Sequence, residues 1–399
     1  MHVDVCVVGG GYTGLSAALH LARGGARVVL LEADTIGFQA SGRNGGQIHS
    51  GSRQDQARLE RWLGPVHARD IWSLTEEAKA LVRALVSEYA IDCALKSGLV
   101  IAAHNARALR ALENTTAHLV SRYGYGAARM MDADETARLL GTPIYPGARF
   151  DAGGGHLHPL AFARGLAAAA QAAGAVILEH SRVLAIDEDG AGANARLANG
   201  SVIARRIVLA CDAFSGMLAP RLAPYIAHVE SFIAATAPLP APLLAQVLPC
   251  DAAVADTRHV LDYYRKSADG RLLFAGRETY WTPPKDVAGL VRPRMLKVFP
   301  MLEGQPVDYG WHGTVGITVT RMPHFGQLGP RVLFAHGYSG HGVALSTLGG
   351  KLLAEAALDR PERFEVFARV PARKFPGGTL LRRPLVTAAL MGFKLMDAL

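Results

Sequence analysis

Three glycines near the start of the sequence have the spacing of a dinucleotide-binding turn. They are Gly9, Gly11 and Gly14. The apolar run Val3 to Val8 precedes them, and an alanine- and leucine-rich stretch that favours a helix follows. The first glycine permits the tight turn, the second lets the backbone approach a pyrophosphate, and the third lets helix and strand pack closely. The pyrophosphate then lies at a helix N-terminus, where free N–H groups and the helix dipole favour an anion.

A carboxylate stands where such a site needs one. Glu32 closes a second apolar run, Arg27 to Leu31, and lies 23 residues after Gly9. An acid about 20 residues after the first glycine binds a ribose hydroxyl group. Its charge argues against a 2′-phosphate, so NADP is disfavoured, whereas NAD and FAD remain. The glycines alone would also suit an ordinary turn of an α/β protein, but strand, turn, helix, second strand and acid together predict a dinucleotide site.

A second glycine-rich segment, Ala33 to Ser52, follows this acid directly. Its glycines at 42, 45 and 46 allow unusual backbone angles beside a ligand. It also brings polar side chains to the same place, namely Arg43, Asn44, Gln47 and His49. Taken alone, the segment suits a surface loop equally well.

A third glycine-rich turn lies near the other end of the chain. The apolar run Arg331 to Ala335 leads into His336–Gly342, and a helix is expected over Val343–Leu358. Another strand-like run ends at Cys211, with a helix start at Asp212. Such strand ends often lie beside the nucleotide in an open α/β sheet. The last part of the chain is therefore expected to belong to the same nucleotide domain as the first part.

The part of the chain between these segments contains both helical and strand-like patterns. Helices are expected over 54–90 with a break near Gly64-Pro65, and over 104–123, 132–140, 159–173 and 286–299. Strands are expected over 98–102, 176–179, 182–187, 195–198, 201–211, 228–236, 259–266 and 271–277, with turns at Asn199-Gly200 and Asp269-Gly270. A glycine-rich loop is expected over 151–159 and proline-rich irregular chain over 238–256. We therefore predict a second, sheet-containing domain over 221–304, inserted into the nucleotide domain.

The composition is that of a globular protein. The chain has 399 residues, of which 50% are hydrophobic and 19% are charged, which suits a large core and two domains. The net charge is +8, with 34 arginines and 8 lysines, but no dense basic run or nucleic-acid motif is present. We expect at most an attraction for an acidic substrate or an anionic partner.

The cysteines and histidines give no sign of a disulfide framework or a metal site. The cysteines are Cys6, Cys93, Cys211 and Cys250, and their spacing suits neither disulfides nor zinc, so we expect buried thiols and a cytoplasmic protein. His156 and His158 lack a neighbouring cluster of acids or cysteines, which favours structural roles over metal binding. No signal peptide is evident, and no uncharged apolar run reaches the ~18 residues of a membrane span. The apolar tail 385–393 is expected to be a packed helix.

Five further motifs resemble a known family in their order and spacing. They are ASGRNGGQ (Ala40–Gln47), GGHLHP (Gly154–Pro159), TRMPHFG (Thr320–Gly326), GYSGHGV (Gly337–Val343) and FPGG (Phe375–Gly378). With the N-terminal turn, they make almost the whole chain similar to the FAD-dependent D-amino-acid-oxidase-like superfamily, and within it most similar to the γ-glutamylputrescine oxidases. These relatives commonly carry a leader before the first strand, and this sequence begins at the strand itself.

The resemblance implies a two-domain α/β (α+β) fold. Its Rossmann-like FAD-binding domain would consist of residues 1–80, 151–220 and 305–370. The inserted substrate domain, with a mixed or antiparallel sheet, would consist of 81–150 and 221–304. Residues 371–399 would form a C-terminal segment that packs on the FAD domain.

The resemblance also implies the contacts of FAD. The N-terminal glycines would hold the pyrophosphate, Glu32 the adenosine ribose, and the backbone of Val183 the adenine. The helix N-terminus at Gly340–Val343 would meet the pyrimidine edge of the flavin and stabilise the negative charge that the flavin gains on reduction. The expected FAD-binding residues are Gly9, Gly11, Tyr12, Thr13, Gly14, Glu32, Ala33, Ser41, Gly42, Arg43, Asn44, Gly45, Gly46, Gln47, Ile48, Val183, Ala210, Gly313, Gly337, Ser339, Gly340, His341, Gly342 and Val343. No attachment cysteine is evident, so we expect non-covalent FAD.

One difference from amino-acid oxidases concerns the substrate. Relatives that oxidise α-amino acids often place an Arg two residues after Trp-x-Gly, where it clamps the carboxylate through two parallel hydrogen bonds. Here Gly313 of that motif is followed by Thr314 and Val315. This disfavours a glycine or D-amino-acid oxidase. It favours oxidation of the amine end of a longer molecule, such as a γ-glutamylated or otherwise acylated amine, to an imine and then an aldehyde, with reoxidation by oxygen.

Two other functions stay open from the sequence. One is a secondary-amine oxidase or dehydrogenase for N-methyl amino acids, with a quinone or carrier as electron acceptor, and the other is a non-catalytic FAD-binding subunit. The candidate catalytic residues are Arg43, His49, Tyr264, Trp311 and His341. Further pocket candidates are Tyr263, Arg277, Tyr280 and Arg321. Neighbouring strand residues point to opposite faces, so at most one of Tyr263 and Tyr264 should face the pocket.

Overall fold

The secondary structure is taken from a computed structural model, which describes residues 1–188, 192–279, 281–379, 381 and 384–388. The strands, in chain order, are β1 (His2–Val8), β2 (Val28–Leu31), β3 (Gln47–Ile48), β4 (Lys96–Ala102), β5 (Ala128–Met131), β6 (Ala148–His156), β7 (Val176–Leu178), β8 (Ala185–Glu188), β9 (Ala193–Leu197), β10 (Gly200–Leu209), β11 (Ile226–Thr236), β12 (Ala253–Asp256), β13 (Tyr263–Lys266), β14 (Leu272–Thr279), β15 (Val307–Thr318), β16 (His324–Leu328) and β17 (Val332–His336).

Helices follow the first and the last glycine-rich turns, as the sequence predicts. They are α1 (Tyr12–Arg23), α2 (Ala40–Arg43), α3 (Gln56–Leu63), α4 (Pro65–Glu88), α5 (Ala106–Tyr123), α6 (Ala133–Leu140), α7 (Pro159–Ala172), α8 (Ser215–Leu218), α9 (Ala241–Gln246), α10 (Val287–Val298), α11 (Gly342–Ala357) and α12 (Glu362–Ala368). Short 3₁₀ turns lie at Asp212–Phe214, Pro220–Tyr225 and Pro300–Leu302.

The first sheet has a parallel centre in which β17, β10, β1, β2 and β7 lie side by side in that order. Both faces of its centre are covered, so the carboxyl-terminal halves of β1 and β10 and the whole of β2 are apolar. Val5 and Val7 of β1 face the core formed with α1 and α11, whereas Cys6 and Val8 face a second core beneath β8 and β9. The carboxyl ends of parallel strands share one edge of the sheet, so the residues after β1, β2, β10 and β17 meet there.

Helices α1 and α11 come unusually close on one face of this sheet. A side chain at Gly350 would place its Cβ 2.2 Å from the carbonyl oxygen of Thr13, so only glycine fits between the two helices. The Ser16 hydroxyl donates to the carbonyl of Thr347 at 2.6 Å, and the Thr13 hydroxyl donates to the Tyr338 hydroxyl at 2.9 Å. These contacts fix the N-terminal turn against the last glycine-rich turn.

The second sheet is mixed, with the order β15-β11-β14-β13-β12-β4-β6-β3, and β5 pairs with β6. The strands from β15 to β12 are antiparallel neighbours, and β12 pairs with β4 in parallel. One face packs on α10 through a core that includes Phe232, Phe274 and Met295. The predicted α/β class, a Rossmann-like sheet combined with a separate mixed sheet, is confirmed.

Three local predictions are wrong. The glycine-rich segment 151–159 is mostly strand β6 and not a loop, because glycine permits close strand pairing: a Cβ at Gly155 would lie 2.4 Å from the Lys96 carbonyl oxygen. The segment 238–256 contains α9 and β12 rather than only irregular chain. The long strand β15 lacks an apolar run and was not expected; it is recognised only through its pairing with β11.

The domain boundaries stay a prediction, to which the structure adds two facts. Strand β15 lies in the second sheet, although 305–370 was expected to belong to the FAD domain. In the described part of 371–399, Phe375 and Val386 pack on Val229 and Ile317 of β11 and β15, that is, on the second sheet. The tail prediction for 385–393 falls partly on residues outside the described ranges.

The remaining sequence predictions concern the cysteines, His156 and His158. All four cysteines are free, and burial raises the pKa of the Cys6 and Cys211 thiols to about 12. His156 contacts the carbonyl of Asp251, and His158 accepts the Ala161 N–H at the start of α7. No helix within the described ranges is both long and apolar enough to cross a membrane.

Replacing Gly14 by Ala should disrupt the N-terminal turn. The new Cβ would lie 1.8 Å from the Gly9 carbonyl oxygen, so strand and helix must move apart. Such overpacking against backbone should lower the free energy of unfolding by at least about 3 kcal/mol, measured by urea denaturation. Gly126→Ala is the matched control, because a Cβ there meets nothing within 4 Å. Equal stability of the two variants would contradict the proposed packing role.

Candidate active site

The carboxyl ends of the parallel strands open into one large cavity. Its volume is about 1580 Å³, and its wall includes Gly9 after β1, Glu32 after β2, Ala210 after β10 and Ser339 after β17. Small-molecule pockets commonly have volumes of about 300–1,000 Å³. The cavity therefore has room for a dinucleotide together with a second small molecule, and the second sheet contributes the opposite wall.

Most of the predicted FAD-binding residues line this cavity. They are Gly9, Gly11, Tyr12, Thr13, Glu32, Ala33, Ser41, Arg43, Asn44, Gly45, Gln47, Val183, Ala210, Gly313, Ser339, Gly340, His341, Gly342 and Val343. The others, Gly14, Gly42, Gly46, Ile48 and Gly337, lie behind the wall. Their assignment as direct contacts stays a prediction, but the structure gives several of them a packing role. A Cβ at Gly42 would lie 2.2 Å from the Gly37 carbonyl oxygen, and one at Gly46 would lie 1.9 Å from that of Leu157.

The N-terminal turn has the geometry of an anion site. Gly9 has φ +112°, and a Cβ there would lie 2.6 Å from the Ala210 carbonyl oxygen, so glycine is needed for both reasons. The N-cap of helix α1 is Gly11, which has no side chain to cap the first turn, and of that turn the Tyr12 N–H donates to the Ser41 hydroxyl. The Glu32 carboxylate accepts the N–H of Gly10 at 2.6 Å and that of Asp34 at 2.8 Å, which holds it at the end of β2.

The segment after β2 is held against α1 by its own polar side chains. The Tyr12 N–H donates to the Ser41 hydroxyl at 3.1 Å. The Asn44 amide donates to the Ala40 carbonyl at 2.8 Å and accepts the Gly46 N–H at 2.7 Å. Asn44 thus fixes the turn rather than presenting a free amide. The polar side chains of this segment therefore both line the cavity and fix the backbone that forms its wall.

Two of the candidate catalytic residues anchor this segment to the second sheet. The Arg43 guanidinium donates to the carbonyls of Phe38 at 2.6 Å and His312 at 3.3 Å. The indole N–H of Trp311 donates to the Arg43 carbonyl at 2.9 Å, and Trp311 does not line the cavity. Their placement favours positioning roles.

The structure corrects the choice between the neighbouring tyrosines. Tyr264 is 1% exposed, stacks on Phe274 in the core of the second sheet and does not line the cavity. Tyr263 lines the cavity, packs on Gly45, and its hydroxyl lies 3.0 Å from that of Ser231. Side chains alternate between the two faces of a strand, so the sequence predicted that one of the two tyrosines faces the cavity. Which one it is depends on which face of the sheet lies against the cavity. Tyr280 lies outside the described residues.

Two histidines from distant segments stack at the N-terminus of α11. The ring centroids of His49 and His341 are 4.2 Å apart and their planes differ by 11°. Desolvation and, to a smaller extent, the charge of Arg53 lower the pKa of His49 to about 3. Desolvation, the neighbouring His49 and the charge of Arg53 keep the pKa of His341 well below its usual value. Both rings are therefore neutral near pH 7, and His341 Nδ1 is buried without a hydrogen-bond partner.

The turn before α11 fits the flavin end of FAD. The Asp212 carboxylate accepts the N–H groups of Gly337 at 2.7 Å and Gly316 at 3.1 Å, which fixes this turn against β15. A side chain at Gly340 would meet no protein atom within 4 Å, so it would occupy space that a ligand can use. The partnerless nitrogen of His341 and the uncapped start of α11 offer polar contacts to a planar heterocycle.

A dinucleotide cradle at four strand ends, facing a second sheet, defines an FAD-dependent oxidoreductase, and the chain belongs to that family. The family model described as FAD dependent oxidoreductase (DAO) matches residues 4–356. The chain is 40% identical to γ-glutamylputrescine oxidoreductase of Escherichia coli (strain K12) over 398 residues, which cover 99% of this chain and 93% of that protein.

More distant relatives share the fold. The chain is 25% identical to glycine oxidase of Bacillus licheniformis, with 91% of this chain and 95% of that protein covered. The crystal structure of glycine oxidase from Geobacillus kaustophilus superposes with a TM-score of 0.78 at 23% identity, and the match covers 90% of this chain and 95% of that chain. FAD is therefore the cofactor of this family's fold, and oxidation of C–N bonds is its general activity.

Several residues of the site were not identified from the sequence. Asp212 was placed at a strand end without a role, and the bond between Thr13 and Tyr338 joins residues too far apart for any local pattern. Arg53 lies one residue after the polar segment Ala33–Ser52, so a segment one residue longer would have included it. Arg149 follows an ordinary strand pattern, and no local signal marks it.

The Glu32→Gln variant should bind FAD more weakly. Hydrogen bonds to charged groups contribute ~1.5–3 kcal/mol, so loss of the charge should raise the FAD dissociation constant roughly 10- to 100-fold. Quenching of FAD fluorescence on reconstitution of the apoprotein measures this constant. Glu113→Gln, at an exposed position of α5, is the control and should bind FAD like the wild type. A dissociation constant unchanged by Glu32→Gln would exclude the proposed ribose contact.

His49 should make the protein less stable in acid. The folded state keeps this ring neutral down to about pH 3, whereas the unfolded chain takes up the proton near pH 6.5. Below that pH the unfolded state binds more protons, so this contribution lowers stability as the pH falls from about 6.5 towards 3. The free energy of unfolding of His49→Gln relative to wild type should therefore rise as the pH falls. His2→Gln, at an exposed position, is the control; parallel pH profiles for wild type and His49→Gln would refute the neutral ring.

Proposed function

We propose that the protein oxidises the terminal amine of an acylated diamine of the γ-glutamylputrescine type to an imine, which water hydrolyses to an aldehyde, and that oxygen reoxidises the reduced flavin. The observation that carries this proposal is the 40% identity to γ-glutamylputrescine oxidoreductase over 99% of this chain. The glycine oxidases are only 24–26% identical over 90–91% of this chain. The substrate proposal thus rests on the higher overall identity to γ-glutamylputrescine oxidoreductase.

The wall beside β15 supports a substrate other than an α-amino acid. Thr314 and Val315, one and two residues after Gly313 of the Trp-x-Gly motif, line the cavity. The Thr314 hydroxyl donates to the Glu230 carboxylate at 2.7 Å, and Val315 has no polar group. Neither side chain can clamp a carboxylate attached to the reacting carbon. A substrate whose reacting carbon bears no carboxylate fits this wall.

The protein groups around the cavity favour the reactive form of an amine. When bound, FAD supplies the acceptor for the hydride that leaves the carbon next to nitrogen. His49 and His341 are neutral, so they do not repel an amine. Desolvation in the cavity disfavours an ammonium ion and lowers the pKa of the bound amine. The substrate can therefore react as the neutral amine without an obligatory general base.

Anaerobic addition of γ-glutamylputrescine should bleach the absorbance of oxidised flavin at about 450 nm in the FAD-loaded protein. The bleaching should be rapid compared with that caused by glycine or by sarcosine, an N-methyl amino acid, because the wall at Val315 offers no α-carboxylate clamp. Stopped-flow absorbance measures all three reactions. Fast bleaching by sarcosine and none by γ-glutamylputrescine would replace the proposal with the secondary-amine alternative.

The same instrument distinguishes the electron acceptors. After anaerobic bleaching, oxygen-saturated buffer should restore the 450 nm band within the turnover time if the enzyme is an oxidase. Slow recovery in oxygen with fast recovery on adding a soluble quinone would identify a dehydrogenase and reject the oxidase part of the proposal.

A further inference from the structure

Three arginines on the cavity wall take no part in the FAD cradle described above. Arg53 follows β3, Arg149 lies in β6 and Arg321 follows β15, and all three line the cavity. They come from widely separated parts of the sequence. The fold alone brings them to one cavity.

The three side chains act on the same small region. The Gln54 side-chain amide donates to the Thr320 carbonyl at 2.6 Å, which ties the segment of Arg53 to that of Arg321. The charge of Arg321 acts on Arg53, and the charges of Arg53 and Arg149 act on both stacked histidines. The charges of Arg53 and Arg149 therefore reach the stacked histidines at the N-terminus of α11, and the segment of Arg321 is tied to that of Arg53. The pyrophosphate cradle at the N-terminus of α1 is a separate part of the cavity.

This cluster has little internal neutralisation. Within the ranges that the structure describes, none of the three arginines forms an ion pair, and Arg149 Nε is buried without an acceptor. The nearby acid Asp151 accepts the Tyr125 hydroxyl and the Gly153 N–H at 2.5 and 2.9 Å. Glu278, also on the cavity wall, offsets part of the charge of Arg53.

Two other arginines near this sheet form ion pairs. Arg258 forms an ion pair with Asp256, and Arg294 forms one with Asp262 at 2.8 Å. Desolvated charges are costly unless a counter-charge is supplied. The unpaired group in the cavity is therefore best explained by an anion that arrives with the substrate. A guanidinium group matches a carboxylate through two parallel hydrogen bonds.

We propose that Arg149, with Arg53 and Arg321, forms a subsite for a substrate carboxylate that is remote from the oxidised C–N bond. The inference rests on the proposed function and narrows it to ω-amino compounds that carry a carboxylate at the far end. The arginines then bind the carboxylate of the acyl group. The wall at Val315 offers no side chain that could bind a carboxylate on the reacting carbon. The subsite also selects against diamines that lack an acid.

Steady-state kinetics with two substrates test this subsite. γ-Glutamylputrescine carries the carboxylate, whereas N-acetylputrescine has the same amide and terminal amine without it. Arg149→Gln should raise the KM for γ-glutamylputrescine roughly 10- to 100-fold, the range for loss of a charged hydrogen bond, and leave that for N-acetylputrescine nearly unchanged. Arg53→Gln should act in the same direction. The matched control is Arg110→Gln, at an exposed position of α5 outside the cavity. Equal effects of Arg149→Gln on both substrates, or no effect on either, would overturn the proposal.

A binding measurement separates this inference from the proposed function. Glutarate, a dicarboxylate without an amine, should bind the FAD-loaded wild type in calorimetric titrations and bind Arg149→Gln at least ~10-fold more weakly. If neither amine is oxidised by the wild type but glutarate binding still depends on Arg149, the proposed function fails and the subsite stands. Glutarate binding that is absent from the wild type, or equal in wild type and Arg149→Gln, rejects the subsite whatever the kinetics show. FAD content, measured by absorbance, should be equal in all variants.

Discussion

The close contact between α1 and α11 is the constraint on which the site depends. Gly350 leaves no room for a side chain against the Thr13 carbonyl, and the hydroxyls of Thr13 and Tyr338 bond where the two glycine-rich turns meet. The two helices begin at the same edge of the first sheet, so their N-termini face one cavity. Each N-terminus carries partial positive charge. One suits the pyrophosphate of FAD and the other suits the pyrimidine edge of its flavin.

The second sheet turns this cradle into an enclosed site. Its strands bring Tyr263, Arg149 and Val315 opposite the strand ends of the first sheet, and the segment after β2 joins the two through Arg43 and Trp311. The cofactor end of the cavity is built largely from backbone and glycine, whereas the far end is built from charged and aromatic side chains. This division fits a family in which FAD is common to all members and substrates differ.

The parts of the site that the sequence predicted are those with short-range causes. Gly9, Gly14 and Glu32 are fixed by the geometry of one strand–turn–helix–strand unit, so their spacing alone predicted their place. The glycines at 153–155 were assigned to a loop because local composition does not show that Gly155 lies against the backbone of β4. Tyr264 was chosen over Tyr263 because alternation gives the two faces of a strand but not which face meets the cavity. Arg149 could not be found at all, since its importance depends on which acids the fold places beside it.

The bond between Thr13 and Tyr338 also constrains how the chain reaches its native state. The two residues are 325 positions apart in the sequence. At a translation rate of about 5–20 residues per second, Tyr338 is therefore synthesised on the order of 15–65 s after Thr13. During that interval the apolar face of α1, which α11 covers in the finished protein, has no native neighbour from the C-terminal end. High sequence separation of this kind slows folding and leaves intermediates open to aggregation. The geometry that unites the two ends of FAD thus makes biogenesis of this protein dependent on completion of the chain and on protection of its nascent N-terminus.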